Sequence, residues 1–265
     1  MSDERPLALV TGASSGIGLE LARQFADAGF DLIVNAEDAG LTAAAEQLRA
    51  EGAAVRAVQA DLRTLAGVEA LWAAVQAAGR PVTAAALDAG VGKGGPFLEN
   101  DIEEEMDVIC LDIVSTVRLT KLLLRDMVAR NEGRLLITSS IAATMPGPYQ
   151  AVYNASKSFL QSFAEALVEE LDDTAVAVTS LMPGPTGTHF FERAGIQGTR
   201  IGAGPKDDPA QVARQGFEAL MAGKEKVVAG SLTTKAQELA TTVLPDRLKA
   251  MVHRQMAEPG SAGDR

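Results

Sequence analysis

The stretch Leu7-Ala8-Leu9-Val10-Thr11-Gly12-Ala13-Ser14-Ser15-Gly16-Ile17-Gly18 decides the fold. Leu7–Thr11 is a short apolar run stopped by Gly12, which reads as a buried strand. Gly16–Gly29 reads as a helix, with Ile17, Leu21 and Phe25 at i, i+4 and i+8. The glycines between them let the backbone turn tightly and approach a ligand. A helix N-terminus then presents free N–H groups and positive dipole, a cradle for a pyrophosphate. The spacing is G-x-x-x-G-x-G, distinct from the G-x-G-x-x-G fingerprint. Its place after the first strand favours a dinucleotide site over a merely tight turn. The residues so assigned are Gly12, Ser14, Ser15, Gly16, Ile17 and Gly18.

Outward from this turn, the same alternation continues. Strands are expected at Asp31–Asn35, Ala54–Val58, Val82–Leu87, Arg134–Ser139, Ala175–Met182 and Lys226–Val228. Helices are expected at Gly40–Gly52, Thr64–Ala78, Asp101–Arg130, Ala151–Leu171 and Asp207–Ala222. Continuous apolar strands joined by helices imply a parallel sheet covered on both faces. Right-handed crossovers make that α/β layout a doubly wound, Rossmann-type sheet. No linker divides the chain, so residues 1–265 read as one domain. The Gly/Pro-rich segment 185–209 reads as a mobile substrate loop. The tail after Glu258 is expected to fray.

Composition narrows the partners. The 24 Lys and Arg against 35 Asp and Glu leave a net charge of −11. Nucleic acid would need a basic footprint, and an anionic membrane surface would repel this chain. No stretch has the ~18 apolar residues of a membrane span. With one cysteine, Cys110, and two distant histidines, His189 and His253, no metal motif or intrachain disulfide forms. A cytoplasmic, reducing location is expected.

After the second strand stand Ala36, Glu37 and Asp38. An acidic side chain there accepts hydrogen bonds from an adenine-ribose 2′-OH and repels a 2′-phosphate. No Arg or Lys lies in 35–41 or in the glycine turn, so NAD(H) is preferred, with NADP(H) left open.

Tyr153-Asn154-Ala155-Ser156-Lys157 places Tyr153 and Lys157 on one helix face. A nearby ammonium stabilises phenolate and lowers the tyrosine pKa from its usual ~10. Ser140 stands at the carboxyl end of the fifth strand, where such sheets bind ligands. A hydroxyl, a phenol and an ammonium therefore converge beside the nucleotide site.

On Thr11–Gly18, the Ser140/Tyr153/Lys157 set and Pro183-Gly184-Pro185-Thr186-Gly187-Thr188, the chain resembles the short-chain dehydrogenase/reductase family over about 6–230. The resemblance implies seven strands and hydride transfer between a nicotinamide and a secondary alcohol or ketone. It makes Tyr153 the general acid/base, Lys157 the group that lowers its pKa and holds the nicotinamide ribose, and Ser140 a substrate hydrogen-bond partner. It assigns Asp61 and Leu62 to the adenine, and Pro183, Gly184, Thr186 and Thr188 to the nicotinamide and phosphates. It implies a homodimer or homotetramer through the two long helices.

Two residues depart from the family pattern. Leu87-Asp88-Ala89-Gly90 stands where Asn-Asn-Ala-Gly is usual, which keeps the backbone of Ala89 and Gly90 but turns an amide into the Asp88 carboxylate. Asp112 replaces the asparagine of the catalytic relay and is expected to favour charged Lys157 while cancelling part of its field on Tyr153. Epimerisation or dehydration on the same scaffold is the alternative chemistry. A nucleotide-binding protein with weak turnover is the alternative outside catalysis. Met145, Tyr149, Met182, Phe190 and Phe191 flank the inferred pocket by chain position, His189 reads as a solvated loop residue, and Cys110 as core.

Overall fold

The computed structural model describes residues 5–236 and 244–263. The outermost residues of the N-terminal and tail readings lie outside this set. Seven parallel strands form one sheet: β1 (Leu7–Thr11), β2 (Asp31–Ala36), β3 (Val55–Gln59), β4 (Val82–Leu87), β5 (Gly133–Thr138), β6 (Val176–Pro183) and β7 (Lys226–Ala229). Their order is β3-β2-β1-β4-β5-β6-β7. The chain winds outward from β1 to β3, then crosses back to β4 beside β1. This is the doubly wound sheet expected, with its switch point between β1 and β4.

The strands read as unbroken apolar runs because both sheet faces are covered; all five residues of β1 are buried. On one face pack α1 (Gly16–Asp27), α2 (Gly40–Ala50) and α9 (Pro209–Met221), around Leu21, Phe25, Leu41 and Val212. Phe25 meets Phe217 of α9 edge-on, with ring centroids 5.1 Å apart. On the other face lie α3 (Leu65–Gln76), α5 (Thr116–Arg130) and α6 (Ala151–Glu170), around Leu71, Leu119, Leu123 and Leu160. Each large aliphatic so buried stabilises by roughly 1.5–3 kcal/mol before entropy is subtracted. Helix starts carry readable caps: Thr64 accepts from Gly67 N–H, and Asp208 from Ala210 N–H ahead of Pro209.

Two expectations change. The helix expected over Asp101–Arg130 is not uniform: α4 (Ile102–Val108) passes into a π-helical segment, Ile109–Ser115, before α5. This wider turn holds Asp112, which is fully buried. The fray expected after Glu258 does not begin there. Ser261–Gly263 form a 3-10 turn, Ala262 N–H donates to Gly198 O, and Ser261 Oγ accepts from Arg200 N–H. Three backbone-directed bonds to the 198–200 segment, the Arg200 guanidinium on Ser261 O included, dock the end of the chain through Gly263. A helix not anticipated from sequence, Asp246–Ala257 (α10), precedes this turn. No described helix is long and apolar enough to cross a membrane.

Candidate active site

A single cleft runs along the carboxyl ends of the strands, from the glycine turn to α10. Its floor is set by Thr11. The Thr11 hydroxyl accepts from both Asp88 N–H and Ala89 N–H, each at 3.0 Å, which ties the end of β1 to the end of β4. Gly12 has φ of 71°, and a Cβ there would lie 3.0 Å from Ala89 backbone atoms. At Gly18 a Cβ would stand 2.3 Å from the Gly12 carbonyl oxygen. Gly18 is therefore required for close packing inside the turn. It does not line the cleft, in contrast to its expected ligand contact. Ser15 sits at the N-cap of α1, yet its side chain bonds none of the helix N–H groups.

At the nucleotide end, Ser14 Oγ donates to Asp38 Oδ2 at 2.7 Å, and Gly40 N–H donates to Asp38 Oδ1. Glu37 is held differently: Arg63 Nη2 reaches its carboxylate at 2.6 Å. Arg63 also bonds Asp61 at 3.0 Å and Asp107 at 2.9 Å. Bonding to Arg63 pulls the Asp61 pKa down, and Asp61 in turn raises that of Arg63. Sequence windows around β2 missed Arg63 because it arrives from the β3–α3 connection. Asp38, like Glu37, Asp61 and Leu62, lines the cleft.

The chemistry sits deeper. Ser140 follows β5 and caps a 3-10 turn, Ile141–Thr144, accepting from Ala142 N–H at 3.1 Å. Tyr153 and Lys157 project from the first turns of α6, and the Lys157 ammonium lies 5.7 Å from the Tyr153 ring centre. Lys157 is buried, and its Nζ stands 3.2 Å from Asp112 Oδ2. Asp112 also accepts from Val91 N–H at 2.9 Å and Ser156 Oγ at 3.0 Å. Asp112 itself does not line the cleft, and it meets the cleft-lining Lys157 by its carboxylate.

Burial alone would lower the Lys157 pKa, but the Asp112 carboxylate and the Tyr153 phenol outweigh it, and the net shift is upward. Tyr153 also moves upward, where the lysine was expected to lower it. Burial raises it first, Lys157 opposes, and Asp112 takes back part of that opposition. Ser140, beside the phenol, favours its anion. Desolvation at the partly buried Asp88 pushes its pKa up to about 7, against bonds from Thr138 Oγ1 at 2.7 Å and Gly18 N–H and the field of Lys157.

Over the cleft lies the segment after β6. An isolated bridge pairs Thr186 with Asp207, and Asp207 N–H donates to Pro185 O at 2.7 Å, so the two ends of the loop are pinned together. The loop carries two short helices, α7 (Phe190–Arg193) and α8 (Arg200–Ala203), and a small core of Phe191, Ala194 and Ile196. Phe190 rests on Tyr153 at 5.0 Å between centroids. Pro183, Gly184, Thr186 and Thr188 line the cleft as expected, and so do Met145, Phe190 and Phe191. Tyr149 and Met182 do not. His189 is exposed and pairs loosely with Glu192, as a solvated residue would.

Comparison with known proteins fits this geometry. The family model described as short chain dehydrogenase matches residues 6–197. The chain belongs to the short-chain dehydrogenase family. It is 31% identical over 206 residues to the oxidoreductase UcpA of Salmonella typhimurium, covering 77% of this chain and 76% of that protein. Among solved structures, a short-chain dehydrogenase/reductase from Burkholderia phymatum in complex with NAD superposes with a TM-score of 0.80. It is 26% identical and covers 91% of this chain and 93% of that one. A short-chain dehydrogenase from Sphingobium yanoikuyae in complex with NADPH gives 0.76, at 28% identity, covering 84% and 87%.

The residues of this short-chain dehydrogenase fit a nicotinamide dinucleotide. The α1 N-terminus has no side-chain cap competing for its first N–H groups, which suits a pyrophosphate. Acceptors at Glu37 and Asp38 suit ribose hydroxyls. The backbone of Ala89 and Gly90 is held open beside Lys157, where a Cβ on Gly90 would come within 3.1 Å of Nζ.

Proposed function

We propose that this short-chain dehydrogenase interconverts a secondary alcohol and a ketone, with Tyr153 as the general acid and base. The observation that supports it most is the Ser140–Tyr153–Lys157 cluster, with Ser140 and Lys157 buried, lining the same cleft as the glycine turn. Gly12, Ser14, Ser15, Gly16 and Ile17 would hold the pyrophosphate region, Glu37, Asp38, Asp61 and Leu62 the adenosine, and Asp88, Ala89, Gly90, Lys157, Pro183, Gly184, Thr186 and Thr188 the nicotinamide half. When bound, the nicotinamide gives or takes the hydride. Tyr153 delivers the balancing proton to the carbonyl oxygen in reduction and recovers it from the hydroxyl in oxidation. Ser140 Oγ donates a hydrogen bond to the same oxygen. The raised pKa of Tyr153 keeps the phenol protonated at neutral pH, the state from which a reduction starts.

NAD(H) is the preferred cofactor in this reading. Glu37 and Asp38 would repel a 2′-phosphate, and Arg63 already serves three carboxylates. The segment 185–209 acts as a lid on its pinned neck and excludes water when closed. We read residues 1–265 as one catalytic domain of a cytoplasmic enzyme. We read it also as a homodimer or homotetramer: Ile102, Met106, Val114 and Phe159 leave apolar area exposed on α4, the π segment and α6. The test is titration with NADH and NADPH, followed by ketones and alcohols screened by nicotinamide absorbance. Tighter NADH binding with turnover of a ketone is expected. Failure to bind either cofactor overturns the reading.

A further inference from the structure

The helix α10 brings into the cleft a group whose role the hydride chemistry leaves open. His253 is 5% exposed and lines the cleft beside Met256. Its Nδ1 lies 3.1 Å from the Pro148 carbonyl oxygen. A carbonyl only accepts, so Nδ1 carries the hydrogen. Burial holds the ring's pKa below its ordinary value, although the Pro148 bond opposes, and the ring stays neutral. The neutral Nδ1–H tautomer leaves Nε2 with a bare lone pair. No side chain or backbone group of the described residues donates to it. Nε2 is therefore an open acceptor on a residue that lines the cleft, and a donor on a molecule entering the cleft can take the place of water on it.

The ring is also held in place. Tyr149 adopts a left-handed φ of 64° and donates its hydroxyl to Glu258 Oε1 at 3.0 Å, just past the end of α10. Pro148 and Tyr149 thus grip α10 at two points, four to five residues ahead of Tyr153. The position of His253 is fixed relative to the catalytic phenol. The same cleft carries the apolar side chains of Met145, Phe190, Ile196, Ile201 and Met256, and Gln150, next in chain after Tyr149, is a buried polar neighbour in its lining. The cationic side chains of the cleft are elsewhere, with Lys157 on Asp112 and Arg193 directed at Asp38, 3.9 Å away.

We infer that His253 Nε2 accepts a hydrogen bond from the substrate, and that the site takes a neutral ketone, or its alcohol, bearing a hydroxyl or amide N–H donor away from the reacting carbon. This rests on the oxidoreductase reading above. An anionic substituent would meet the Nε2 lone pair there.

Matched ketone pairs test it, each a hydroxyketone and its deoxy parent, with the hydroxyl moved along successive carbons. The wild-type protein should favour one hydroxyketone over its parent by about tenfold or more in kcat/KM. His253→Phe, which keeps a ring but no acceptor, should bring that ratio close to one, and His253→Gln, which keeps an acceptor, should restore part of it. Imidazole nitrogen NMR gives a readout independent of turnover. With His189→Asn used to assign the two rings, the His253 Nε2 resonance should move on adding the hydroxyketone and stay for its parent. Equal kcat/KM across every pair, an unchanged ratio in His253→Phe, or a silent Nε2 overturns the inference and leaves hydride transfer standing. Cofactor binding without turnover of any pair overturns the oxidoreductase reading and this inference with it.

Discussion

Lys157 and Asp112 form the pair on which the site's electrostatics turn. The Asp112 carboxylate is 3.2 Å from the ammonium, fully buried, and adds to the upward shift of Tyr153. Oxidation of an alcohol needs phenolate, so its rate rises with pH through the Tyr153 pKa. Asp112→Asn removes a raising influence, and the rise in kcat/KM should move to lower pH; an unmoved profile refutes the coupling. Asp88 carries a stability prediction. Its folded pKa, about 7, lies above the unfolded value, so the carboxyl costs nothing below pH ~4, its cost grows between about 4 and 7, and it levels off above that. Asp88→Asn should therefore stabilise the fold at pH 8 by up to a few kcal/mol and leave it unchanged near pH 4. Denaturant melts at the two pH values check this, and equal effects at both would contradict it. The residues proposed as catalytic were legible because each sits in a short motif: Ser140 after its strand, Tyr153 and Lys157 four apart. Arg63 and His253 were not, since each reaches the site across space from an element whose own spacing carries no signal.

At the level of elements, the glycine turn and the docked chain end make the strongest demands. Gly18→Ala would press a Cβ to 2.3 Å from the Gly12 carbonyl. The turn must shift, with a loss of roughly 1–3 kcal/mol and weaker dinucleotide binding. Denaturation and cofactor titration of the variant measure both, and unchanged values would contradict a tightly packed turn. Truncation after Glu258 removes the bonds from Ser261 and Ala262 to residues 198–200. Faster amide exchange over 196–204 and a higher KM for the ketone are expected, at unchanged cofactor affinity; unaltered exchange would contradict the docking. The strands and most helices followed from apolar runs and caps. Helix α10 hid because its apolar residues Leu248, Met251 and Val252 are exposed while His253 and Ala257 are buried, so amphipathic patterning points to the wrong face. The π segment hid because no propensity rule distinguishes a wide turn inside a long helix.

Across the whole molecule, the sheet's switch point lies at one end of a cleft that runs past β5 and α6 to α10, and the proposed order along it is nucleotide, chemistry, substrate. The acidic balance of the chain becomes local here, with Glu37, Asp38, Asp61, Asp88 and Asp112 concentrated around the site. The exposed Phe159, stacked on Phe163 at 5.9 Å, lies outside the cleft on α6. Phe159→Glu should shift the sedimentation coefficient toward that of a monomer; an unchanged value would move the subunit contact elsewhere. The most direct test of the central claim is Tyr153→Phe, assayed with NADH and an accepted ketone alongside cofactor titration. The account predicts a fall in kcat of roughly 10²–10⁴-fold with NADH affinity retained. Turnover close to wild type in this variant would contradict it.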